Sequence, residues 1–134
     1  MLQRIVVDTN ALISRLLLPR SVPGKAVQKA IDAGQIVISE TTLAELADVL
    51  SRPKFTPYVS ILDRQQFIRL LGRAAEMVPI THKIRVCRDP KDDKFLEVAV
   101  NGAANVIITG DKDLLALNPF RKIAIVTPAQ YLLR

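Results

Sequence analysis

The chain is poor in the residues on which many catalytic and structural devices depend. Its 134 residues include one cysteine, one histidine and no tryptophan. A single cysteine, Cys87, excludes an intrachain disulfide, and the cysteine count gives no sign of secretion. One histidine without a cysteine partner makes a zinc centre a poor fit, since such sites take three or four Cys and His ligands. Ser14, Ser39 and Ser60 have no nearby His–Asp pattern for a triad. Gly110 stands alone after an apolar run, so there is no glycine-rich phosphate loop. No apolar stretch approaches the ~20 residues of a membrane span. The N-terminal run Ile5-Val6-Val7 meets Asp8 too soon for a signal peptide. The expectation is a cytoplasmic protein with no membrane partner.

What is present is aliphatic and basic. Hydrophobic residues make up 49% of the chain and aromatics only 4%, so the core is built from Leu, Ile, Val and Ala. That content in 134 residues predicts one globular domain, 1–134, large enough to fold without staples. The net charge is +6, from 19 Lys and Arg against 13 Asp and Glu. A basic surface suits a polyanionic partner, although it also serves simple solubility.

Short β-branched runs alternate with amphipathic segments. Strands are expected at Leu2–Val7, Gln35–Ser39, Val78–Ile80, Asn105–Thr109 and Lys122–Val126. Helices are expected over 11–18, 25–33, 41–51, 64–77, 92–101, 111–117 and 128–133, with Arg20–Gly24 as a turn and Asp63 as a cap. Alternation of this kind predicts a central, mostly parallel sheet of about five strands in a three-layer α/β/α sandwich.

The acids are unevenly placed. Eight of the 13 fall in a few clusters: Asp8, Glu45, Asp89 with Asp92, Asp93 and Glu97, and Asp111 with Asp113. Asp8 follows Ile5-Val6-Val7, and Asp111 follows Val106-Ile107-Ile108-Thr109-Gly110. Parallel strands in an open sheet end at a shared ligand crevice. Two strands that end in carboxylates therefore direct negative charge to one place, where like charges oppose joint ionisation. A hard divalent cation resolves that conflict, and oxygen-only ligand sets suit Mg²⁺ or Mn²⁺. Each acid also has a plainer use as a helix cap or a first-turn acid. The whole pattern points to metal-dependent phosphodiester chemistry. Phosphotransfer domains with a strand-end Asp fit less well: position 10 is Asn, and Glu45 is left without a use.

Four segments in order carry a family resemblance: Val6-Val7-Asp8-Thr9-Asn10, Leu43-Ala44-Glu45-Leu46, Arg88-Asp89-Pro90-Lys91-Asp92-Asp93-Lys94-Phe95-Leu96-Glu97, and Ile108-Thr109-Gly110-Asp111-Lys112-Asp113-Leu114-Leu115. The chain resembles the PIN-domain ribonucleases, most closely the compact toxins of toxin–antitoxin systems. The resemblance implies a PIN-like sandwich and an Mg²⁺- or Mn²⁺-dependent endoribonuclease. It implies catalytic and metal-binding roles for Asp8, Glu45, Asp92 and Asp111. Spacing alone leaves Asp92 and Asp93 both open for the third acid; Asp92 is favoured, because Asp93 shares the Glu97 face. Thr9, Asn10, Asp93, Thr109 and Asp113 are expected in support, with Thr9 or Asn10 orienting Asp8 and Thr109 fixing Asp111. Arg15, Lys25, Arg88, Lys91 and Lys112 are candidate RNA-phosphate contacts, each with solvated surface charge as its plainer alternative. An RNA substrate, a small antitoxin and a homodimer are the implied partners. A non-catalytic RNA- or protein-binding module on the same fold is the alternative.

Overall fold

The computed structural model describes residues 2–134. Five strands form one parallel sheet: β1 Arg4–Val7, β2 Gln35–Ile38, β3 Glu76–Met77, β4 Val106–Ile108 and β5 Ala124–Val126. Their spatial order is β3-β2-β1-β4-β5. Seven helices cover it: α1 Thr9–Leu17, α2 Val22–Ala33, α3 Glu40–Leu50, α4 Ile61–Ala74, α5 Asp93–Asn101, α6 Lys112–Leu115 and α7 Pro128–Leu132. None of the described helices is long and apolar enough to cross a membrane.

The two-residue period of a strand sends alternate side chains to opposite faces, and here both faces are buried. Ile5, Val7, Ile36, Ile38, Val106 and Ile108 pack on one side with α1, α2, α3, α4 and α7. Val6, Val37, Ile107 and Ile125 pack on the other with Phe95, Leu96, Val98 and Ala99 of α5 and Leu114 of α6. The strands therefore read as continuous apolar runs, as expected of a sheet covered on both sides. The architecture is the α/β/α sandwich expected from the alternation of strands and helices.

The strand order places the site. From β1 the chain builds outward through β2 to β3, then returns to the other side of β1 with β4 and β5. Direction reverses between β1 and β4, which pair in parallel from Ile5↔Val106 to Val7↔Ile108. Ligand crevices in open sheets open at such a switch, beyond the carboxyl ends of the strands. Asp8 leaves β1 and Thr109-Gly110-Asp111 leaves β4 at that point.

Three local expectations need correction. The third strand is Glu76–Met77 rather than Val78–Ile80. It pairs with Val37 and Ile38 at the sheet edge with both side chains exposed, so hydropathy carries no trace of it. Helix α4 begins at Ile61, three residues before the expected start, because Ser60 and not Asp63 is its cap; the Ser60 hydroxyl accepts from Asp63 N. Helix α2 begins at Val22 inside the expected turn. Ser21 caps it by accepting from Gly24 N, and Pro23 is tolerated in the first turn, where its missing N–H has no intrahelical partner to lose.

Candidate active site

The functional side chains are delivered by element ends. Asp8 is the N-cap of α1, and its Oδ1 accepts from Ala11 N at 2.8 Å. Its Oδ2 accepts from the Thr109 hydroxyl at 2.7 Å and from Gly110 N at 3.2 Å. Thr109, wholly buried at the end of β4, also accepts from Asp111 N at 3.0 Å. One hydroxyl thus locks the tips of β1 and β4 together. Asp111 caps α6, and its Oδ1 accepts from Asp113 N. Its Oδ2 is buried and has no hydrogen-bond partner. Capping and convergence are therefore not alternatives here: Asp8 and Asp111 do both.

Asp92 reaches the same place from a single 3₁₀ turn, Pro90–Asp92, which Asp89 caps by accepting from Lys91 N. Together Asp8, Thr9, Asn10, Glu45, Asp89, Asp92, Thr109, Gly110, Asp111 and Asp113 line one cleft of about 520 Å³. Among the described residues, Asp92, Asp111 and Asp113 bring carboxylate oxygens within 4.8 Å of one another. Asp113, expected only in support, is thus as close to the centre as Asp92 and Asp111.

The charges respond to this crowding. Burial raises the Asp8 carboxyl above its ordinary value; the bonds from Thr109, Ala11 and Gly110 oppose it, and Asp111's charge adds to it. Asp92 is pushed up to about 7, first by partial burial, then by the neighbouring Asp111 carboxyl and the charge of Asp89. Carboxylates this close hold a proton between them when no cation neutralises them.

Glu45 behaves differently. Burial pushes it up, but the Thr9 hydroxyl on its Oε2 and the Lys94 ammonium on its Oε1 outweigh that, and its carboxyl lies below the ordinary value. Lys94 Nζ stands 2.9 Å from Glu45 and also donates to Lys91 O at 2.6 Å. Thr9 therefore binds Glu45 and not Asp8, and the orientation expected of Thr9 or Asn10 comes from Thr109. Asn10 is exposed at the rim, where its backbone carbonyl accepts from Ser14 Oγ. Lys94 escapes a sequence reading. A half-buried Glu beside an apolar stripe calls for a cation, but nothing in the sequence says which.

Asp93 lies outside the cleft. It is buried and accepts from Val86 N and Cys87 N, while Glu97 accepts from Ile84 N. The pair on one face of α5 pins the 84–87 strand of loop. Cys87, held beside Asp93, has its thiol pushed up to about 12 by burial and then by Asp93, which makes it a poor nucleophile. His82 sits in an exposed loop hydrogen-bonded to Thr81 and Asn101. Of the candidate phosphate contacts, Lys25, Arg88, Lys91 and Lys112 are exposed, the last three next in sequence to cleft acids. Arg15 is partly covered and donates to Gln28 at 2.7 Å.

At the switch point of a parallel α/β/α sandwich, strand ends and one 3₁₀ turn assemble an acidic cleft whose donors are all oxygen. Comparison with known proteins agrees. The PIN domain matches residues 4–113. An uncharacterized protein of Methanocaldococcus jannaschii is 30% identical over 96% of this chain and 89% of its own length. The chain belongs to the PIN-domain family. Among solved structures, similar folds occur in VapBC2 of Rickettsia felis bound to a promoter DNA fragment (TM-score 0.63, 12% identity, 92% of this chain and 98% of that one). PAE2754 of Pyrobaculum aerophilum is also similar (0.61, 19%, 98% and 87%). So is the PIN domain endonuclease Utp24 (0.56, 20%, 92% and 84%). At these identities the likeness is one of fold alone.

Proposed function

We propose that this protein is a metal-dependent endoribonuclease. The observation that carries the reading is the buried, unpartnered Oδ2 of Asp111 within a set of three carboxylates, Asp92, Asp111 and Asp113. An orphaned buried acceptor beside two further acids is costly unless something positive completes it. The donors are all oxygen, which fits Mg²⁺ or Mn²⁺. In this reading Asp92, Asp111 and Asp113 hold the cation, with Asp8 alongside. The cation supplies water activation near neutral pH and charge neutralisation at the scissile phosphate.

The protein's own residues do the rest. Thr109 and the Gly110 N–H hold Asp8 in one orientation, so the acid does not have to be ordered during the reaction. Arg88, Lys91 and Lys112 border the acids and supply charge for the flanking phosphates, with Lys25 and Arg15 further out. The reading extends to a toxin that a small antitoxin restrains, supported by the fold likeness to VapBC2 and by the toxin-like motif order. A homodimer belongs to the same reading.

The test is incubation of a mixed RNA pool with the purified protein and Mg²⁺ or Mn²⁺, beside EDTA and Asp8→Asn, which keeps an oxygen for the Ala11 cap. Cleavage that needs both the metal and Asp8 is the expected result. A folded protein that binds RNA and cuts none under any of these conditions would favour a binding module.

A further inference from the structure

Helix α3 borders two concavities. Glu45 and Val49 line the acidic cleft, while Ala47, Leu50 and Ser51 line a groove of about 900 Å³ shared with α4 and the 53–59 segment. The two linings have no residue in common. On α4 the wall of the groove is Ile61, Arg64, Gln65, Ile68 and Arg69, an i, i+3, i+4, i+7, i+8 stripe along one helix face. Ile61 is 70% exposed, so this apolar wall lacks cover within the chain. No acid lines the groove, and its charged residues are Arg64 and Arg69. Arg64 is only 8% exposed. Its Nη1 donates to Leu50 O at 2.9 Å and its Nη2 to Val59 O at 3.1 Å, but its Nε has no partner. Among the described residues it forms no ion pair. Asp48 pairs with Arg52 instead, and Asp63 is exposed and outside the lining. A buried cation without a counter-charge is costly, and two carbonyls offset only part of that cost.

We propose that the α3–α4 groove docks an amphipathic helix of a partner protein, whose apolar face covers Ile61 and Ile68 and whose Asp or Glu offsets the charge of Arg64 and Arg69. The inference stands apart from the metal-dependent reading, because the groove and the cleft are lined by different residues. An apolar groove with anchoring positions at helical spacing is the form in which proteins receive an amphipathic helix. The charge sets the partner's sign: the groove offers cations and no acid, so the complementary helix is acidic. The same charge argues against a second copy of this chain. A two-fold interface is self-complementary, so pairing through the groove would bring Arg64 and Arg69 of one copy towards the same residues of the other. The stripe on α4 also lacks the acid that a self-docked helix would need.

The probe is a yeast-displayed library of helical peptides with aliphatic residues fixed at i, i+3, i+4 and i+7 and the other positions varied among acidic, basic and neutral polar residues. It is selected on the purified full chain. The expected result is enrichment of clones with Asp or Glu beside the aliphatic stripe. Ile61→Asp, at an exposed position, is expected to abolish their binding. Replacing the selected acid by its amide is expected to weaken binding about tenfold to the unaltered chain and far less to Arg64→Met, the mark of a charge-assisted contact. Arg64 also holds Leu50 O, so thermal melting checks that variant, and Arg69→Ala repeats the charge test at an exposed position. No enriched clone, clones without an acid, or clones indifferent to Ile61→Asp overturn the inference. So does a dimer of the chain alone, seen by sedimentation equilibrium, that Ile61→Asp dissociates, since the groove would then belong to a second copy.

Discussion

Asp92 concentrates the electrostatics of the site in one side chain. Its carboxyl is raised to about 7 by partial burial, by the neighbouring Asp111 carboxyl and by the charge of Asp89, with Lys94 pulling the other way. In the unfolded chain an Asp titrates near 3.9. The native state therefore binds more protons than the unfolded state between these values, and stability falls with rising pH across that window. The contribution is fully present below about pH 4 and lost as pH rises through about 7. Metal-stripped protein is expected to melt at a higher temperature at pH 5 than at pH 8, and Asp92→Asn to shrink that difference. Mn²⁺ is expected to raise the melting temperature more at pH 8, because a cation binds the ionised form. Equal pH dependence in the variant and the parent, measured by scanning calorimetry in EDTA, would show that Asp92 does not carry the shared proton.

At the scale of elements, the site depends on how closely α1 and α2 can turn against each other. The cleft includes Ala11 and Ser14 of α1 and Pro23 of α2. The link between the helices is short, and Gly24 in the first turn of α2 makes it possible. A Cβ at that position would lie 2.5 Å from Leu18 O and 2.9 Å from Pro19 O, which are backbone atoms that no rotamer change can clear. Gly24→Ala is therefore expected to destabilise by about 2 kcal/mol, within the 1–3 kcal/mol typical of overpacking, despite alanine's better helix propensity. Urea unfolding measures this directly. A midpoint at or above that of the parent would mean that the α1–α2 link can open at no cost. The same scale explains why β3 suffices with two residues. It closes one sheet edge with Glu76 paired to Arg4 at 2.6 Å and with Val78 N donating to Ile38 O.

Across the whole molecule, charge is separated by position. A +6 chain gathers six of its 13 acids in one cleft and leaves Arg88, Lys91, Lys112 and Lys25 exposed outside it. If these cations track a phosphate backbone, each contact releases a counterion, and affinity falls with salt at a slope of about −0.7 per contact for a single strand. Binding of a single-stranded RNA in Ca²⁺ is expected to lose about 2 units of slope, three contacts' worth, in the triple variant Arg88→Ala, Lys91→Ala and Lys112→Ala. An unchanged slope in filter-binding titrations from low to moderate salt would assign those residues to solvation alone.

The sequence by itself determined the layers and marked the acidic crevice. Both are local signals: short continuous apolar, mostly β-branched runs mark the strands at 4–7, 35–38, 106–108 and 124–126, and acids at or just beyond the ends of two of them mark the crevice. The family order of acids at Asp8, Glu45, the Asp92–Asp93 pair and Asp111 was equally legible, but spacing left the choice within that pair open. Only the tertiary structure decided how the acids divide the work. Asp93 looked equivalent to Asp92 in the chain, yet one helical step of about 100° turns it into the 84–87 loop, where two backbone N–H groups hold its carboxylate in place and favour its ionised form. Asp113 joined the centre because Asp111 caps the helix that carries it. Lys94 met Glu45 across 49 residues of chain. Such pairings arise from the packing of α3 against α5 over β1 and have no periodicity, so no sequence window contains them.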